Sequence, residues 1–194
     1  MILKLALRNI IGNGWRSLIN MIIIAIVMIG MIWMQAMYHS WIRLAETEAR
    51  EWEIGSGQLH HKDYDRYDAF SWDKSFATLP DELLAHVESS DAIPVLLSPA
   101  VIYPQGRMTP TLIKGIPTDQ SLLKIPTSKL LDSSDYYIPA IIGTAMAKNN
   151  RLQEGDILTM RLKDIHGSYN ALDLKIVEIM NTPVPTTDAG QIWI

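Results

Sequence analysis

The pattern of apolar and polar positions changes character three times along the chain. From Leu18 to Met37, twenty residues (LINMIIIAIVMIGMIWMQAM) carry no charge and only two strongly polar side chains, Asn20 and Gln35, one near each end. No polar stripe recurs at helical spacing, as it would in a helix packed on a soluble core. At about 1.5 Å per residue the run reaches roughly 30 Å, and a helix of that length satisfies its own backbone across a hydrocarbon layer. Trp15 precedes the run, and Trp33, Tyr38 and Trp41 lie around its far end, where amphipathic rings favour a lipid–water boundary. A cleaved secretory signal fits less well, because its apolar region is about 7–15 residues long and Tyr38-His39-Ser40-Trp41 offers no small-residue cleavage site. The pattern predicts a transmembrane helix at 18–37.

The flanks differ from this run and from each other. In Met1–Asn13 apolar residues alternate with Lys4 and Arg8, which four-residue spacing puts on one side of a helix. This suits an amphipathic segment over 1–17 lying in the interface, with a Gly12-Asn13-Gly14 bend and Arg16 reaching the headgroups; a simple basic flank that sets topology is the alternative. Beyond Met37, the residues Trp41, Leu44, Ala45, Ala49 and Trp52 recur at mostly three- and four-residue intervals among glutamates, which predicts a stalk helix over 38–53 stopped by Gly55 and Gly57. Three basic residues precede the span and two, Arg43 and Arg50, follow it closely, so the N-terminus is expected on the cytoplasmic side.

From residue 54 the period shortens. Gln58–His61 and Ile93–Tyr103 read as strands, with Pro94 and Pro99 arguing for edges or bends; Thr111–Lys114 follows a Pro104-Gln105-Gly106 turn. Pro80-Asp81-Glu82 opens a helix through about Ser89, and Thr118 or Asp119 caps a short one through Leu123. Tyr136–Ile142 reads as a strand, and Thr144 caps a helix over Ala145–Asn150. The turn Gln153-Glu154-Gly155-Asp156 leads into strand Ile157–Leu162, His166-Gly167-Ser168 reverses the chain, and Leu172–Ile179 alternates again. A polar segment, Thr182–Gly190, precedes a last strand, Gln191–Ile194. The fold class expected is α+β: one transmembrane helix with a stalk, then a mixed, strand-rich domain over 54–194.

Charge and chemistry narrow the function. Residues 38–194 hold 14 basic and 21 acidic side chains, a net of −7, which argues against a nucleic-acid partner, and about 155 residues remain for soluble structure. Without cysteine there is no disulfide framework and no thiol chemistry. His60 and His61 with Asp63, Asp65, Asp68 and Asp73 invite a metal site, but adjacent histidines on a strand point apart and the aspartates lack the glycine and terminal glutamate of a calcium loop. No GxxxxGK, GxSxG or HExxH occurs, and His39, His86 and His166 fall in no catalytic spacing. No catalytic, cofactor-binding or metal residue is assigned; Gly155-Asp156 is read as a turn.

Several segments in order resemble ABC-transporter permeases of the FtsX, LolC/LolE and MacB type. They are Leu5-Ala6-Leu7-Arg8-Asn9 with Arg16-Ser17-Leu18; Ser56-Gly57-Gln58-Leu59-His60-His61 with Tyr64 or Tyr67; Ile113-Lys114-Gly115-Ile116-Pro117-Thr118-Asp119; Ile142-Gly143-Thr144-Ala145-Met146-Ala147 with Gly155-Asp156-Ile157-Leu158; and Asp188 through Ile194. Ala100 departs from the arginine that many relatives carry after the proline. The resemblance implies a non-catalytic subunit in a bacterial inner membrane, whose MacB-like outer domain lies in the periplasm or outside the cell. Its partners would be a cytoplasmic ABC ATPase and a second permease chain, like or related, and it would move or release a substrate mechanically. It also implies three further spans, so the outer domain is expected to be incomplete at its C-terminal end. The alternative is a single-pass membrane-anchored binding or sensory module whose outer domain captures a ligand or partner by itself.

Overall fold

The computed structural model describes every residue except 1–3, 7, 9–11, 13, 66, 67, 76, 132–135 and 164–166. The chain divides into two compact units, Met1–Glu46 and Thr47–Ile194. In the first, Lys4, Leu5, Ala6, Arg8 and Gly12 are helical and helix α1 runs from Gly14 to Ala49. The bend expected at Gly12-Asn13-Gly14 centres on Asn13, which lies outside the described residues. No residue of α1 is buried, and Ile24, Ile29 and Ile32 are 60%, 66% and 64% exposed, an apolar surface unbroken by charge. Among the described residues one helix, Gly14–Ile54, is long and apolar enough to cross a membrane.

Past Ala49 the helix widens into a π turn over Arg50–Ile54 and closes at Gly55, whose φ is +68° and whose N–H donates to the Arg50 carbonyl at 2.8 Å. The strand expected at Gln58–His61 does not form, because the six strands present close on one another and offer it no partner. The acidic loop holds a 3-10 turn at Ala69–Lys74, and helix α2 spans Asp81–Glu88 with both acids in its first turn.

Among the described residues the strands are β1 (Leu96–Ile102), β2 (Thr109–Gly115), β3 (Ile138–Gly143), β4 (Ile157–Lys163), β5 (Tyr169–Met180) and β6 (Gln191–Trp193). They form a closed α+β barrel in the order β1-β2-β6-β3-β5-β4. The β1–β2 hairpin turns on Gln105 and Gly106, both left-handed at φ +51° and +77°. A closed barrel has no edge strand, yet Pro99 finds an equivalent place: it pairs with Leu112 on β2, while β4 joins β1 only over Ala100–Ile102. Pro110 and Pro139 likewise sit outside the stretches where their strands are paired on both sides, so no missing N–H interrupts a ladder.

Alternation sorts the side chains into two layers. Ile102, Ile113, Ile142, Met160, Leu174 and Ile192 fill the barrel interior, which Met146 and Ala147 of helix α3 (Thr144–Asn150) help to close. A register shift at Ala140/Ile141 interrupts the alternation of β5 after Val177, so that Ile179 rather than Glu178 packs on the interior and Met180 joins Val177, Ile141 and Trp193 in an outer layer. Residues 116–131 cover that layer, and the helix expected through Leu123 is replaced by irregular chain and a 3-10 turn, Thr127–Leu131. Gln120 is the reason. Its side chain accepts the Leu123 N–H at 2.9 Å and donates to the carbonyls of Leu123 (3.1 Å) and Ile125 (3.3 Å), supplying backbone partners that a helix would otherwise provide. A short helix, α4 (Pro185–Gly190), occupies the segment expected to be merely polar.

Candidate coupling site at the helix foot

Three consecutive residues in the π turn, Glu51, Trp52 and Glu53, engage the barrel domain. Successive residues of a helical turn point in different directions, so the foot is gripped from more than one side. Glu53 is the centre. Its Oε1 accepts from Gln191 Nε2 at 2.8 Å and lies 3.6 Å from Lys114 Nζ, and its Oε2 accepts from Thr186 Oγ1 at 2.9 Å. The ion pair is buried, with 10% of the Glu53 side chain and 6% of Lys114 exposed. Lys114 Nζ also stands 4.6 Å from the centre of the Trp193 ring, a cation–π contact.

Strand alternation explains how these groups meet. β2 and β6 run parallel with Lys114 opposite Trp193; Ile113 and Ile192 point into the barrel, which leaves Lys114, Gln191 and Trp193 on the outer face. Glu51 meets the covering loop instead. Its carbonyl accepts the Lys124 N–H at 2.9 Å, and its carboxylate pairs with the Lys124 ammonium. That pair is open to water, with 56% of Lys124 exposed. The hydrogen bond to Glu51, with the charges of Glu51 and Glu48, raises the Lys124 pKa above its ordinary value, against a smaller opposing effect of burial. Between the two carboxylates, Trp52 is half-buried against the outer layer of Ile116, Leu123, Ile125 and Trp193. Within this layer the Gln191 Oε1 and Trp193 Nε1 atoms are buried without a hydrogen-bond partner among the described residues.

The other candidate residues serve the fold. Asp65 and Asp68 organise a loop around Ser71, whose hydroxyl accepts the Asp65 N–H at 3.1 Å and lies 2.6 and 2.8 Å from the Asp65 and Asp68 carbonyls. His60 packs on the Tyr64 ring at 5.4 Å, whereas His61 Nδ1 accepts the Asp63 N–H at 3.3 Å. Among the described residues no group of three or more His, Asp or Glu side chains could hold a metal ion. Gly155 takes φ +90° in its turn, and the Asp156 carboxylate accepts the Gln153 N–H at 2.8 Å. His166 and Tyr67 lie outside the described residues. A cleft of about 110 Å³ between α2 and Pro117–Leu122 is well below the roughly 300 Å³ at which small-molecule sites begin.

The expected cap of α3 is corrected as well. Thr144 Oγ1 donates to the Met180 carbonyl at 3.2 Å and caps nothing; the cap is Asp188, whose Oδ1 accepts the Ala145 N–H at 3.0 Å. Asp188 lies so close over Gly143 that a methyl group there would overlap its backbone. Neither Asp188 nor the pairing of Glu53 with Lys114 is assigned from the sequence. The visible signal for the pair is a lysine at the end of the otherwise uncharged run Thr111-Leu112-Ile113.

Compared with protein-family models and with curated proteins, the chain matches none.

Proposed function

We propose that the chain is the non-catalytic membrane subunit of an ABC-type export or lipoprotein-release system of the FtsX, LolC/LolE and MacB type. On this reading α1 crosses the bacterial inner membrane with its N-terminus in the cytoplasm, and the barrel is part of a MacB-like outer domain. ATP is hydrolysed by a separate cytoplasmic partner, and a second permease chain completes the assembly. The carrying observation is the joint: a long apolar helix continues into a foot held to the barrel by Glu51, Trp52 and Glu53. A helix held in this way can pass a displacement into the barrel, which a flexible tether cannot.

The segments that carry the resemblance also meet in space, which supports the same reading. The Ile116 N–H donates to the Ile194 carbonyl at 3.0 Å, and Asp188 reaches Ala145 beside Gly143.

The test is affinity purification of the tagged gene product from native membranes in mild detergent, with ATPase assays on the eluate. A co-purifying ATPase whose hydrolysis depends on this chain is the expected result. A chain that elutes without an ATPase, and whose outer domain binds a soluble ligand unaided, overturns the proposal in favour of an anchored binding module.

A further inference from the structure

The helix foot, Thr47–Ile54, contributes no strand to the barrel and no side chain to its interior. What holds the foot is largely polar: the Glu53 carboxylate with Lys114, Gln191 and Thr186, the Glu51–Lys124 pair, and one half-buried tryptophan.

Groups of this kind lose little when they separate, because water replaces the partners that they give up. The docked state also encloses two polar atoms that find no hydrogen-bond partner among the described residues. Gln191 Oε1 is buried without a partner on the same side chain whose Nε2 holds Glu53, and Trp193 Nε1 is buried likewise beside Lys114. Water entering an opened joint would satisfy both. The π turn before Gly55 adds a place where the helix can change register, since conversion to α geometry re-aims every side chain beyond it.

From these observations we infer that the joint is a latch with two states. The foot undocks from β2, β6 and the 116–131 loop as a unit while the barrel stays folded, and the buried Glu53–Lys114 pair sets the docked register. The inference does not depend on the transport reading, and it holds or fails on this chain alone.

The Lys124 amide is the reporter, because it donates to the Glu51 carbonyl. Amide hydrogen exchange is measured on the full chain in nanodiscs, and Lys124 is compared with Ile142 and Ile192 in the barrel. In the unaltered protein Lys124 is expected to exchange at least about 100-fold faster than the barrel amides, after correction for intrinsic rates. Glu53→Gln leaves Lys114 as a buried charge without its carboxylate and should speed Lys124 exchange about tenfold or more, with Ile142 and Ile192 unmoved. Lys114→Met should do the same. The double variant Glu53→Gln/Lys114→Met, which leaves neither charge exposed to a dry neighbour, should recover most of the loss. Equal protection at Lys124 and the barrel, or the same acceleration at all three amides in the single variants, shows that foot and barrel open only together and overturns the latch. No change at Lys124 in either single variant overturns it too.

Discussion

Helix α1 and the barrel solve the problem of apolar side chains in opposite ways. The barrel turns alternate residues inward, so Ile102, Ile142, Met160, Leu174 and Ile192 are within 0–1% of complete burial. α1 turns apolar residues in every direction and buries none. The barrel therefore carries its own solvent-free interior, whereas α1 keeps its apolar side chains on its surface. The two should respond differently to the same kind of damage: the barrel to changes in volume and caps, the helix to changes in backbone continuity.

The largest separation of the two is expected from Leu44→Pro. Proline there removes an N–H and crowds the Ser40 carbonyl, at a cost of about 3 kcal/mol to the helix. Helical circular dichroism in lipid should fall while the thermal transition of the barrel, followed by near-ultraviolet dichroism, stays in place. In the proposed assembly the same variant should hydrolyse ATP without moving substrate; normal coupling would mean that α1 acts as an anchor only. Next comes Gly143→Ala, which forces a methyl group into the Asp188 backbone and should cost the barrel about 2 kcal/mol. A denaturant titration of the barrel reads it, and α1 should be unaffected. Asp188→Ala removes the cap from Ala145 and should cost about 1 kcal/mol in the same titration.

The smallest effect concerns the exposed tie at the foot. Because the Lys124 pKa is raised in the folded protein, the contribution of the Glu51–Lys124 pair is complete below the ordinary lysine value of 10.5 and fades as pH rises through the raised one. The stability difference between wild type and Lys124→Met should accordingly be constant from neutral pH to near 10.5 and fall away only as pH climbs beyond it through the raised value. A difference that already changes around neutral pH would show that another group controls this contact.

What could be read from sequence follows the same division. α1 was legible because its signal is local: composition and length suffice, and helix continuity through Ala49 follows from the spacing of Trp41, Leu44, Ala45 and Ala49. β4, β5 and α3 were legible within a few residues for a similar reason, since alternation and Gly155 mark them directly. Closure into a barrel was not, because it depends on β6, a three-residue strand placed between β2 and β3 by partners far away in the chain. The missing helix after Asp119 reflects side-chain competition by Gln120, and the absent strand at Gln58–His61 reflects the lack of a partner. The foot lies between these cases. The glutamates of the stalk were visible, but nothing local distinguishes Glu53, which is buried against Lys114, from Glu51, which stays in water.

The position of β6 also imposes an order in time. Residues Gln191–Trp193 join β2 to β3, so as the chain is threaded from its N-terminus those two halves of the ring remain an open sheet until the segment after Gly190 arrives. Hairpins β1–β2 and β4–β5 can form early from near neighbours, but Lys114 has no Trp193 ring beneath it, and Glu53 no Gln191, before that moment. The tie of Glu53 to Gln191 can thus be made only once β6 has shut the barrel, whereas the Glu51 contacts to Lys124 do not wait for it.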